Sequence, residues 1–207
     1  MTMLIDRRAL VASGLVLAAG PALAQADDQL VRVALKTTKG MITLDLNVGK
    51  APITAGNFLR YVDQRRFDGI SFYRASRIKG APELGIIQAG LHDPTKLLKP
   101  IAHESTTKTG LSHKDGTISM ARRAPGTAAA DFFICVGDQP DFNADPAASG
   151  DNLGFAAFGQ VVDGMDLVHT ILALPTSPTA GAGAMKGEML SPPVPILTAR
   201  RVARKEA

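Results

Sequence analysis

The 207 residues are enough for one domain with a well-buried core, and 45% hydrophobic content is ordinary for a globular chain. A formal net charge of +4 is too mild to argue for nucleic acid as a partner. The single cysteine, Cys135, excludes an intramolecular disulfide, and its place in the apolar run DFFICV suggests an inert, buried thiol.

Residues 1–24 read as separate from the fold. Asp6-Arg7-Arg8 precedes the short apolar run ALVASGLVLAAG, followed by Pro21 and Ala22-Leu23-Ala24. A positive start, an apolar middle and an A-x-A site describe a secretory signal peptide, so the mature chain is expected to start at Gln25. The competing reading is a membrane anchor, but spanning needs roughly 20 apolar residues and this run is shorter. The Arg7-Arg8 pair also permits a twin-arginine route, although the Ser or Thr and the Phe of a fuller pattern are missing. A periplasmic or secreted location is expected, with no stable membrane association after cleavage.

Residues 30–37 and 41–47 alternate apolar and polar around Lys39-Gly40, which predicts a hairpin with one buried face. Pro52 suits the first turn of a helix whose apolar face is formed by Ile53, Phe58, Leu59 and Val62. Strands are predicted at 70–77, 85–90, 117–121 and 131–136. The last, nearly continuous in apolar residues, reads as buried on both sides. Residues 78–84 are expected to form a loop, 91–116 an irregular segment and 137–152 another loop. A strand at 155–162 then leads into a second helix over 164–173, with Met165, Val168, Ile171 and Leu172 on one face. Residues 175–193, rich in Pro, Gly and Ala, read as a loop before a final strand at 194–203 that returns to the first. The basic cluster RR-VARK at that end reads as a solvated face. About eight strands and two widely separated helices argue for an antiparallel barrel, although alternation alone also allows a sandwich. Neither a repeat nor a second domain is evident.

Several chemistries can be set aside. There is no G-x-S-x-G elbow, no H-E-x-x-H and no P-loop pattern. His92, His103, His113 and His169 have no metal-like spacing and read as solvated or structural, so no metal is expected. His103-Glu104 is an acid–His neighbour pair, a weak signal on its own. What remains is Arg74, a cation on an apolar strand that should be either ion-paired for structure or functional.

Four short motifs occur in order: Phe72-Tyr73-Arg74, Gln88-Ala89-Gly90, Ser119-Met120-Ala121 and Phe132-Phe133-Ile134. Their order resembles that of the cyclophilins, the barrel-type peptidyl-prolyl isomerases, over roughly residues 30–203. The resemblance implies a mainly β fold, a closed eight-stranded antiparallel barrel capped by two α-helices, spanning residues 25–207. It implies isomerisation of Xaa-Pro bonds in folding exported proteins, without cofactor, by a chain expected to be monomeric. Arg74 falls on the catalytic arginine. Ile86 and Phe133 fall on positions that hold the proline ring, Phe142 fills the place of another, and Phe155 stands where relatives have a His or Tyr beside the ring. Gln88 contacts the substrate backbone and steadies the arginine, and Ala121 and Arg122 lie on the edge that pairs with the peptide. Asp131 stands where a Gln is usual and is expected close to Arg74, in a two-pronged ion pair. Gly85 replaces a Phe that walls the proline pocket, so part of that wall is missing or must come from the 78–84 loop. The chain has no Trp, whereas cyclosporin-sensitive relatives have one near 141–142. Gly85 and Asp131 keep a second reading open: a catalytically weak module that binds proline-containing segments as chaperone or scaffold.

Overall fold

The computed structural model describes residues 29–203, so the predicted leader lies outside the described residues. β1 (Leu30–Thr37) and β2 (Gly40–Asn47) form the first hairpin, in register from Leu30 opposite Asn47 to Thr37 opposite Gly40. The turn is Thr38-Lys39, one residue earlier than expected. Thr37 closes it, its hydroxyl donating to the Gly40 carbonyl and accepting from the Lys39 N–H.

α1 (Pro52–Asp63) starts on its proline and buries Ala55, Phe58, Leu59 and Val62 with Thr54, Asn57 and Tyr61. Ile53 does not share that face and is 41% exposed. Five residues before Phe58, it lies about 140° round the helix. Ala51 offers no side-chain cap; Glu104 supplies one from far along the chain. Its carboxylate accepts from the N–H groups of Ile53 (3.2 Å) and Thr54 (2.7 Å) and from the Thr54 hydroxyl (2.6 Å). A negative group at a helix start satisfies otherwise orphaned donors.

β3 (Ser71–Ile78) and β4 (Ala81–Gly90) turn over at Lys79-Gly80. The loop expected at 78–84 is therefore a hairpin extension, with Pro82, Glu83 and Leu84 bulged between the pairs Ile78–Ala81 and Arg77–Gly85. After the one-turn α2 (Thr106–Thr109) come β5 (Thr117–Met120), β6 (Phe132–Val136), β7 (Ala156–Asp163) and α3 (Met165–Leu172). Two further strands complete the chain, β8 (Thr176–Ser177) and β9 (Met189–Arg201). β9 begins five residues before the expected 194, despite Pro192 and Pro193. Prolines donate no ladder bond, and these lie between Met189 and Val194, opposite the register shift between Phe72 and Arg74, where β9 makes no pair with β3, so few donors are missed.

The strand order β1-β2-β7-β5-β6-β4-β3-β9 closes through a β1–β9 pairing into an eight-stranded barrel, antiparallel throughout; β8 pairs only with β9. Inside lie Leu35, Leu44, Phe72, Ile87, Ile118, Phe132, Ile134, Phe158 and their neighbours. Phe58 inserts from α1 and meets Phe67, Phe132 and Phe158 at ring centroid distances of 4.9, 5.2 and 5.4 Å. α3 packs on β2, β3, β4 and β6. The basic strand end is paired: Arg200 grips Asp68 and Arg201 grips Asp63 through two hydrogen bonds each.

Candidate active site

The site begins with an irregularity in β3. Phe72 and Ala75 both belong to the barrel interior, three positions apart where a regular strand would require two. Phe72 opposes Ala89 and Arg74 opposes Gln88, leaving Tyr73 unpaired: a β-bulge. Without it Arg74 would share the inward face with Phe72. With it, Tyr73 and Arg74 both reach Gln88 on the outside of the barrel. The register then carries a row across the outer sheet, Arg74–Gln88–Phe133–Ser119–Ala157.

A directional hydrogen-bond chain runs along the polar end of this row. Arg74 Nη1 donates to Gln88 Oε1 at 2.8 Å, which turns the amide so that Nε2 donates to Tyr73 Oη at 2.5 Å. The Tyr73 hydroxyl then donates to Asp131 Oδ1 at 3.0 Å. Arginine can only donate, so the direction is fixed from that end. Burial and the adjacent Asp131 carboxylate push the Tyr73 phenol well above its usual range, which keeps it a donor. Burial likewise raises the Asp131 carboxyl, opposed by the Tyr73 bond and by His92. Gly90 makes the room: a Cβ there would lie 1.6 Å from Asp131 Oδ1.

On its other edge Arg74 meets Glu188, with Nε at 2.8 Å and Nη2 at 2.7 Å from Oε2. Of five guanidinium N–H groups, three are thus assigned, leaving one on each Nη.

Beside the row, β4 and β6 present an apolar cluster separate from the core: Ile86, Phe133 and Cys135, with Ala121, Phe142 and Phe155 against it. Phe133, Phe142 and Phe155 meet edge to face in all three pairings, with centroids 5.3–5.5 Å apart. Three rings in this arrangement hold one another at fixed angles. Behind Phe133 lies the stacked ring of His113 at 6.0 Å. Asn143 Oδ1 accepts from the His113 backbone N–H (2.9 Å) and faces Nδ1 (2.8 Å), so Nδ1 carries the proton and Nε2 accepts from Ser119 Oγ (2.9 Å). Burial lowers the proton affinity of this imidazole, a structural histidine as expected. Burial pushes the Cys135 thiol up to about 12. A separate hollow of about 220 Å³, lined among others by Leu30, Leu111, Gln160 and Val162, shares no residue with this cluster.

Comparison with known proteins gives these features a family. Residues 32–200 match the model for "Cyclophilin type peptidyl-prolyl cis-trans isomerase/CLD". The chain belongs to the cyclophilin-type peptidyl-prolyl cis-trans isomerases. It is 36% identical over 178 residues to a peptidyl-prolyl cis-trans isomerase of Acinetobacter baylyi, spanning 84% of this chain and 86% of that one. To peptidyl-prolyl cis-trans isomerase B of Escherichia coli it is 36% identical over 152 residues, 70% of this chain and 85% of the relative. In fold it is similar to a cyclophilin type isomerase of Cryptosporidium parvum, with a TM-score of 0.63 at 20% identity, covering 86% of this chain and 100% of that one. A second structure of that parasite protein, determined in the presence of the dipeptide Ala-Pro, aligns with a TM-score of 0.61 at 21% identity over 84% of this chain and 99% of that one.

Most of the residues predicted for a cyclophilin site come together. Ile86, Ala121, Phe133, Phe142 and Phe155 form the cluster, and Gln88 bonds Arg74. Ala121 and Arg122 lie just beyond β5 rather than within it. The side chain of Arg122 is only 6% exposed: it grips Asp151 at 2.7 and 2.8 Å, donates to the Gly154 carbonyl and lies 5.5 Å over the Phe155 ring. Its side chain therefore supports the cluster, and its guanidinium holds Asp151 down at about 2. The expected Asp131–Arg74 ion pair is not formed. Tyr73 binds Asp131, and the carboxylate on Arg74 is Glu188. Gly85 is likewise more than a missing Phe. Its φ of +148° and the approach of the Ser76 carbonyl, 2.0 Å from any added Cβ, belong to the bulged hairpin. Leu84 leans over Gly137, outside the apolar cluster. Glu188 escaped the sequence reading because it lies 114 positions from Arg74 in a stretch read as loop. Tyr73 was visible within its motif, but only the bulge reveals its direction.

Proposed function

We propose that this isomerase turns Xaa-Pro bonds by presenting the two unassigned N–H groups of Arg74 to a prolyl amide held over the Phe133–Phe142–Phe155 cluster. The observation that carries this is the register row, which sets a pre-oriented donor two strands from an apolar floor. Rotation about the amide meets a barrier of about 18–20 kcal/mol because resonance gives the C–N bond double-bond character. Donation toward the prolyl nitrogen favours the twisted, pyramidal form, in which that resonance is lost. The apolar floor excludes water and strengthens the donor. Gln88 fixes the edge of the guanidinium from which one donor points. None of these steps needs a metal or a cofactor.

The substrates we assign are proline-containing segments of exported proteins as they fold, met in the periplasm or outside the cell after removal of residues 1–24. Mass spectrometry of the exported chain tests the export reading: an N-terminus at Gln25 supports it, and retained Met1 overturns it. A protease-coupled isomerisation assay on a Xaa-Pro peptide tests the mechanism. Arg74→Ala should lower kcat/KM by about 100-fold or more, the scale for losing a transition-state donor. A loss under about threefold would remove Arg74 from the chemistry. The second reading, a module that holds such segments while turning them slowly, is favoured by the absent wall at Gly85. The same assay separates it by a wild-type kcat/KM too low to measure.

A further inference from the structure

We propose that Glu188 is a positioning residue for Arg74, a role that rests on Arg74 being the donor. The connection between β8 and β9 ends at Glu188, where the Ala75 N–H donates to the Glu188 carbonyl at 2.9 Å and Met189 pairs with Arg74. The backbone thus delivers the Glu188 side chain to the flank of the arginine. Each oxygen of its carboxylate has an assigned partner. Oε2 accepts from Nε and lies 2.7 Å from Nη2 of Arg74, and Oε1 accepts from Ser76 Oγ at 2.8 Å. Ser76 therefore fixes the carboxylate, the carboxylate fixes one edge of the guanidinium, and Gln88 fixes the other.

An unheld arginine samples many rotamers, and its two remaining N–H groups would then point toward the amide only part of the time. Held on two edges, the planar guanidinium keeps its orientation without reorganising at each turnover. Side-chain exposures of 18% for Arg74 and 26% for Glu188 put the pair in partial burial, where a fixed pair is screened less than on open surface. The carboxylate also offsets the positive charge, which opposes catalysis, so orientation and charge pull in opposite directions and substitutions can separate them.

The segment stays attached without this side chain. Arg77 donates to the Leu172 and Leu174 carbonyls just before β8, β8 pairs with Met189 and Leu190, and the Ala75 bond holds the end of the connection through the backbone. Glu188→Ala therefore frees one edge of the guanidinium while leaving the connection in place, and Glu188→Gln keeps an acceptor for Arg74 without the charge. Wild type, both single variants, Arg74→Ala and Arg74→Ala/Glu188→Ala would be compared in the protease-coupled assay, with urea midpoints confirming folding. Glu188→Ala should lower kcat about tenfold or more with KM within about twofold, as expected for a misplaced catalytic group. Glu188→Gln should recover most of that loss. In the Arg74→Ala background, Glu188→Ala should change the residual rate by less than about twofold, because the group it positions is gone. Three results would overturn the proposal: unchanged kcat in Glu188→Ala, an equal loss in Glu188→Gln, or the same fold-loss with and without Arg74. If Arg74→Ala alone is harmless, the donor reading falls, and the proposal with it. If Arg74→Ala is severe and Glu188→Ala is not, only the positioning role falls.

Discussion

Replacing Gly85 with Phe would appear to restore the wall usual in the cyclophilins, yet the structure forbids it. Gly85 sits where β4 regains register with β3 after the Pro82–Leu84 bulge, paired with Arg77 on one side and Val136 on the other. Its φ of +148° lies in territory that side chains disfavour, a strain of about 1–3 kcal/mol. An added Cβ would stand 2.0 Å from the Ser76 carbonyl oxygen and 3.0 Å from Arg77 Cα, both backbone atoms. Relief requires the two strands to part by about an ångström, weakening one or two ladder hydrogen bonds worth ~1 kcal/mol each. Gly85→Ala should therefore cost about 3 kcal/mol, and Gly85→Phe at least as much. With a urea m-value near 2 kcal/mol/M, the midpoint should fall by about 1.5 M. Paired urea melts and isomerisation assays provide the check. A Gly85→Phe protein with an unchanged midpoint and a raised kcat/KM would show that the bulge yields and that the reasoning is wrong.

Asp131→Asn keeps a carbonyl for the Tyr73 hydroxyl and removes a buried charge. Because burial raises the native pKa above the unfolded value of about 3.9, wild-type stability falls as pH climbs from there through the raised value, and that cost persists at pH 7. The variant should show a higher urea midpoint at pH 7, an advantage that vanishes below about pH 3.9; a lower midpoint at pH 7 would contradict it. Cys135, buried with its thiol pushed up to about 12, should resist iodoacetamide at pH 8 in the native protein and react in urea. Cyclosporin should bind more weakly than micromolar, less than about 8 kcal/mol, because the chain lacks Trp and Gly85 leaves one wall open. Titration calorimetry giving a nanomolar Kd would show the pocket to be complete without them.

What the sequence disclosed and what it hid divide along physical lines. β6 was legible because five consecutive apolar residues leave no exposed face. The β1–β2 hairpin was legible because its alternation is regular. The bulge at Tyr73 was hidden because the run of Phe72, Tyr73 and Arg74 looks the same with or without a slipped register. With the slip unseen, alternation sends Arg74 inward with Phe72. Asp131 was placed beside Arg74 by position, and only side-chain geometry shows Tyr73 between them. Glu104 and Glu188 lie in stretches without periodicity, so nothing local distinguished a helix cap or an arginine clamp from solvated acids. The start of β9 was masked by prolines whose missing donors the register shift in β3 tolerates.

The outward placement of the site explains how such departures can be tolerated. In β6, Phe132, Ile134 and Val136 fill the barrel while Phe133 and Cys135 face the cluster, a separation set by the two-residue period of the strand. β4 divides the same way, with Ile87 and Ala89 inside and Ile86 and Gln88 outside. Changing an outer residue leaves the packed interior untouched. An inner substitution such as Phe132→Ala would open a cavity among Phe58, Phe67 and Phe72 at a cost of about 3–5 kcal/mol. Positions such as 131 and 142 can therefore drift while the barrel persists. Arg74 has less freedom, because it faces outward only through the bulge. Straightening the strand at unchanged length, with Phe72 held in place, would turn the guanidinium into the apolar interior, with the cost of burying an unpaired charge. The donor and the core are separable everywhere on this sheet except at that one irregular residue.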